Sequence, residues 1–176
     1  MRLKPLKPEN VSPARYAAVM GLLFAAASAL NMLESAFSAF LPAGIRVGLS
    51  NIVIMAAILS LNLPSALVLV LLKAVLVLLT RGVTAGAMSL CGSLAAFAVT
   101  AFLFRKTAAS YVLISVLGAF SHSLGQLLAA WGILGTAAVF AYAPVLAIAS
   151  VITGICTGIV LKVIFPHIKR IIPDLK

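Results

Sequence analysis

The chain has 176 residues, of which 64% are hydrophobic and only 9% charged, with a mean hydropathy of +1.23. Soluble domains carry about 25% charged residues, so the composition excludes a soluble protein and predicts one all-α domain of membrane spans, each roughly 20 residues long. The formal net charge of +10 comes from basic residues clustered beside apolar segments. That placement fits topology determinants and contacts to anionic lipid, not a nucleic-acid-binding face.

Residues 1–15 carry Arg2, Lys4, Lys7 and Arg15 among Pro5, Pro8 and Pro13 and read as a basic cytoplasmic tail. No small-x-small cleavage site follows, so a removed signal peptide is not expected. The transmembrane domain is expected over 16–164 and a second basic tail over 165–176. A first span is predicted at 16–33. Gly21, Ala25 and Ala29 recur there at four-residue spacing and form a face of small side chains that lets another helix approach closely. Glu34 stands at its outer end. A loop over 34–47 contains Pro42, Gly44 and Arg46, and a second span is predicted at 48–61 with Asn51 about one turn inside.

Asn62-Leu63-Pro64 reads as a tight turn with the proline in the first turn of a third helix. That helix runs to about residue 80, with Lys73 near its middle, and Arg81 and Gly82 end it. Gly86 is expected to lead into a fourth span at 87–104, closed by Arg105 and Lys106. The stretch 107–161 has no fixed charge and accommodates a fifth span at 111–134 and a sixth at 140–164, with Pro144 inside the latter. Six spans place both termini on one side. Arg2, Lys4, Lys7, Arg15, Arg105, Lys106, Lys162, Lys169, Arg170 and Lys176 share that side, against Arg46 and Arg81 opposite. The excess assigns both termini to the cytoplasm of a multi-pass cell-membrane protein.

Ionisable residues within a span cost at least about 2.5 kcal/mol on insertion scales and are functional candidates. Lys73 is either a ligand or ion-pair group or a snorkelling lysine. Glu34 either binds ligand or pairs with Lys73, Arg46 or Arg81. The two arginines are either interface anchors or part of a cationic outer cavity suited to an anion. Asn51 needs a partner on a neighbouring helix or a ligand. His122 and Gln126, four apart, share a face of the fifth helix, where Ser121, Ser123 and Gly125 are expected to loosen the packing. No second His or Cys lies at ligand spacing, so no metal is expected, and no cofactor either. Cys91 and Cys156 read as small residues in helix interfaces. The chain lacks GxxxxGK[ST], and its acids are only Glu9, Glu34 and Asp174. Neither nucleotide hydrolysis by a P-loop nor magnesium-diphosphate chemistry is expected of this chain alone, so any transport needs energy from elsewhere.

Leu33-Glu34-Ser35, Gly44-Ile45-Arg46-Val47-Gly48-Leu49-Ser50-Asn51, Leu72-Lys73, the segment from Gly118 to Gln126 and Tyr142-Ala143-Pro144-Val145 together resemble the Gx transporter family. That family is also named heptaprenyl diphosphate synthase component I and is similar to the substrate-binding S components of energy-coupling factor (ECF) transporters. Ser123 departs from the Asn that the resemblance leads one to expect after the His. The resemblance implies a six-helix bundle that captures a vitamin-like or precursor molecule from outside, and the missing catalytic motifs argue that it is not an enzyme. The resemblance further implies docking, through Gly21, Ala25 and Ala29, on a membrane T component driven by two cytoplasmic ATPases. The pocket residues are then Glu34, Arg46, Asn51, Lys73, Arg81, His122 and Gln126. The rival expectation is a non-catalytic membrane partner of a prenyl diphosphate synthase in quinone biosynthesis.

Overall fold

The computed structural model describes residues 12–38 and 48–171. The first eleven residues, the segment 39–47 that includes Arg46, and the last five residues lie outside the described part. Six α-helices follow in order: α1 (Pro13–Ser38), α2 (Asn51–Ser60), α3 (Leu63–Arg81), α4 (Val83–Lys106), α5 (Tyr111–Leu134) and α6 (Ala143–Ile171). A 3-10 segment, Ala137–Tyr142, leads into α6. Five of the six are long and apolar enough to cross a membrane. Their outward faces carry large apolar side chains such as Leu79, Phe102 and Ile148, as contact with hydrocarbon requires.

The second predicted span is the exception. At about 1.5 Å per residue, the 10 residues of α2 cover only half of a bilayer core of about 30 Å. α2 sits inside the bundle, with Asn51, Val53, Ile54, Met55, Ala56, Ala57 and Ser60 all buried. Two core clusters hold it. Ala57 and Leu61 pack on Ala66 and Leu69 of α3 beneath Tyr16, Phe24 and Phe97, and Met55 and Ala56 pack on Ile114 and Leu161 beneath Phe104 and Tyr111.

Local chemistry sets the helix ends. Asn62 caps α3, its Oδ1 accepting from Ser65 N at 2.9 Å, and Ser110 caps α5 by accepting from Leu113 N at 3.2 Å. Gly135, at φ +65°, closes α5 in the left-handed conformation. The fourth helix starts earlier than expected. Gly82 alone makes the α3–α4 corner, and Gly86 lies inside α4, where an added Cβ would stand 2.6 Å from Leu78 Cβ. Gly86 therefore permits the hairpin to close and is not a lead-in. Pro144 falls in the first turn of α6, where its missing N–H costs nothing.

Close packing concentrates on α4, α5 and α6. A Cβ on Gly125 would meet Cys91 O at 2.8 Å, and one on Gly154 would meet Val116 Cα at 2.5 Å. The helix backbones meet there, so Gly125 tightens the bundle where looser packing was expected. Ser123 acts in the same sense, its hydroxyl 2.7 Å from that of Ser150 on α6. The cysteines also differ from expectation. The Cys91 and Cys156 side chains are free and exposed, while the Cys91 carbonyl borders the α4–α5 contact at Gly125.

α1 lies at the edge, packed on α2 and α3 and joined to α3 by a hydrogen bond between the Tyr16 and Ser65 hydroxyls. Its Gly21, Ala25 and Ala29 are exposed, and nothing lies within 4 Å of a Cβ built on Gly21. Within the described chain the small-residue face packs against no other helix.

Candidate functional site

Polar side chains from five helices, α1 to α5, meet around the start of α2. Gly48 organises the entry. It adopts φ +73°, a conformation that only glycine reaches without strain, and its carbonyl accepts from Asn51 N at 2.9 Å to open the helix. Its own N–H donates to Glu34 Oε1 at 2.5 Å. Glu34 is 3% exposed, so this carboxylate fastens the end of α1 to the beginning of α2. Arg81 does not take Glu34 as its partner, one of the pairings expected. Half-buried at the end of α3, it donates through Nη2 to the Asn31 carbonyl of α1 at 3.3 Å.

Lys73 lies at the centre of the cluster. It is 3% exposed, and its Nζ donates to Asn51 Oδ1 and to Ser93 Oγ of α4, each at 3.3 Å. A buried ammonium needs such acceptors, because an unsolvated charge in a membrane interior costs several kcal/mol. The lysine therefore does not snorkel. Its ammonium is turned into the bundle and bridges α2, α3 and α4.

α5 supplies the remaining wall. His122 and Gln126 are both buried and face Gly92, where an added Cβ would lie 2.7 Å from Gln126 Cγ and 2.9 Å from His122 Cε1. Gly92 precedes Ser93, the lysine's partner, so the imidazole and the amide border the same patch. A Cβ on Gly48 would be 3.1 Å from Asn51 Nδ2 and 3.8 Å from His122 Cδ2, which joins the histidine to the α2 entry. Gln126 is 2% exposed, yet neither Oε1 nor Nε2 has a hydrogen-bond partner, and the same holds for Asn51 Nδ2. Buried amides are normally satisfied, so these three atoms are available to a bound group.

Lys73 is eight residues before Arg81, which at 1.5 Å per residue places it roughly 12 Å along the helix axis from the Arg81 end of α3. Ser93 and Gln126 are similarly deep in their helices. Asn51 is the first residue of α2, so the short helix begins at this level and the cluster occupies the middle of the bundle. Below it a cavity of about 10 Å³ touches Gly48 and Asn51 and continues past Thr100, Ser115 and Thr153, with room for about one water molecule.

Glu34, Asn51, Lys73, His122 and Gln126 are thus brought to one region, Arg81 is engaged with α1, and Arg46 lies outside the described residues. Sequence reasoning missed Ser93 and Gly48. Ser93 carried a signal: Ser89, Gly92, Ser93, Ala96 and Thr100 form a small, hydroxyl-bearing stripe on α4, all buried, of the kind that meets a polar group on a facing helix. Gly48 acts through its backbone, for which no side-chain pattern exists. Among the described residues, no group of three His, Cys, Asp or Glu could hold a metal ion.

Comparison with known proteins places this arrangement in one family. The family model described as heptaprenyl diphosphate synthase component I matches residues 23–164, which contain every residue of the cluster. Searches of the curated proteins and of the solved structures return no match. The chain belongs to the heptaprenyl diphosphate synthase component I family, also called the Gx transporter family.

Proposed function

We propose that the chain is the substrate-binding subunit of an ECF-type importer and captures a small anionic molecule, vitamin-like or related to isoprenoid and quinone precursors. The observation that carries this reading is the buried Lys73 ammonium beside three unsatisfied amide atoms of Asn51 and Gln126. A carboxylate or phosphate would accept from Lys73 and from Asn51 Nδ2 and Gln126 Nε2, in charge-assisted geometry. A cluster with room for one water binds such a ligand only if the helices around it part, so capture is coupled to movement. In this reading both termini lie in the cytoplasm, the ligand arrives from outside, and Arg46 and Arg81 border the route.

The exposed face of Gly21, Ala25 and Ala29 is then the docking surface for a membrane T component coupled to two cytoplasmic ATPases. Small side chains permit the close helix approach that association in lipid requires. The subunit itself catalyses no reaction. Mass spectrometry of small molecules co-purified with the intact protein tests the binding role. An anionic metabolite retained by the wild type and lost from Lys73→Met is the expected result, and equal retention by both removes Lys73 from the site.

The family description favours a second reading, a membrane partner of a heptaprenyl diphosphate synthase. Affinity purification of the tagged protein separates the two. Recovery of a T component with ATPases supports transport, whereas recovery of a soluble prenyl synthase alone supports the second reading and overturns the first.

A further inference from the structure

At the other end of the bundle, a groove of about 950 Å³ opens between the α2–α3 turn, the α4–α5 loop and α6. Arg105, Lys106 and Lys162 line it, all three exposed, and so does the N-terminus of α5 at Tyr111 and Val112. Ser110 accepts from Leu113 N, so the first two N–H groups of this 24-residue helix stand outside the helical ladder at the positive end of its dipole. Among the described residues, no acid lines the groove. Glu34, the acid among the described residues, is held at Gly48 on the far side of the core.

The groove is not merely basic. Its inner wall is made of Leu59, Phe104 and Ile114, with the Tyr111 ring fixed between Phe104 and Phe165 at centroid distances of 6.3 and 5.8 Å. A small inorganic anion would leave this apolar wall uncovered, and a plain hydrocarbon would leave three cations unneutralised. We propose that this groove binds an amphiphile with a phosphate or diphosphate head and an apolar chain. The head sits among Arg105, Lys106, Lys162 and the α5 N-terminus, and the chain lies along Leu59 and Phe104. The inference is independent of the Lys73 cluster, because the two sites share no residue.

The same head-and-chain chemistry occurs in a soluble prenyl diphosphate and in an anionic phospholipid. Intact protein in phosphatidylcholine nanodiscs, probed by native mass spectrometry with farnesyl diphosphate, farnesol and phosphatidylglycerol, tests the site and separates the sources. Saturable retention of farnesyl diphosphate over farnesol identifies a soluble prenyl diphosphate, and selective retention of phosphatidylglycerol identifies a lipid. Either is expected to weaken about tenfold in Arg105→Gln/Lys162→Gln, which removes two charge-assisted contacts from exposed positions. Ala108→Trp fills the exposed groove without changing its charge and is also expected to weaken binding. Retention of neither probe above phosphatidylcholine overturns the proposal. So does binding that Ala108→Trp leaves unchanged, which would reduce the site to diffuse attraction by surface charge.

Discussion

Lys73 Nζ lies 3.3 Å from Asn51 Oδ1, across the contact between a full-length span and a helix of half that length. This pair fixes the depth at which α2 begins, because the ammonium is buried and the asparagine is the first helical residue. Asn51→Leu should therefore lower the thermal midpoint in detergent, by an amount corresponding to about 1–3 kcal/mol. Lys73→Met on the same background should recover part of the loss, since a buried charge with one acceptor fewer is then removed. A double-mutant cycle measures this coupling, and strict additivity would show that the two side chains do not depend on each other.

Gln126 separates binding from stability. Both its amide atoms are buried without partners, so Gln126→Leu, of similar volume, should leave the unfolding midpoint unchanged or raise it slightly. The same variant should retain less of any co-purified anion. A clear loss of stability would mean that the amide is structurally satisfied in the folded protein.

Gly92 holds α4 against α5. A Cβ there would stand 2.7 Å from Gln126 Cγ and 2.8 Å from His122 O, so Gly92→Ala should destabilise by about 1–3 kcal/mol through overpacking. Gly132→Ala is the control. Nothing lies within 4 Å of its Cβ position, and the change should be neutral or stabilising by up to about 1 kcal/mol. Thermal unfolding of the two variants side by side checks the contrast.

The face of α1 should be dispensable for folding and required for assembly. Ala25 and Ala29 are exposed, so Ala25→Leu/Ala29→Leu should keep the wild-type unfolding midpoint. Recovery of membrane partners in affinity purification should fall at least severalfold, because bulky side chains hold a docking helix away. Undiminished recovery would move the docking surface elsewhere.

The helical membrane class, the α5 span and the turn at Asn62 were legible from residue types alone. Lipid demands long apolar runs, and a helix in lipid must satisfy its own backbone, so composition and local caps suffice to find these elements. The six polar residues Glu34, Asn51, Lys73, Arg81, His122 and Gln126 could likewise be picked out among hydrocarbon. Their partners could not. Nothing in the order of residues distinguishes Glu34 fastened to a glycine N–H from Glu34 paired with Arg81, or shows that Ser123 and Gly125 tighten the bundle.

Hydropathy, charge asymmetry and capping chemistry are local, and they determined that this chain is a basic, multi-helix membrane protein with scarce polar groups inside it. The tertiary structure alone decided that α2 is a half-length helix beginning at mid-depth, that Ser93 answers Lys73, and that the small face of α1 is left open. Each of these depends on how far one helix slides along another, and that distance is set by where glycines let backbones touch and where a buried charge finds its acceptors.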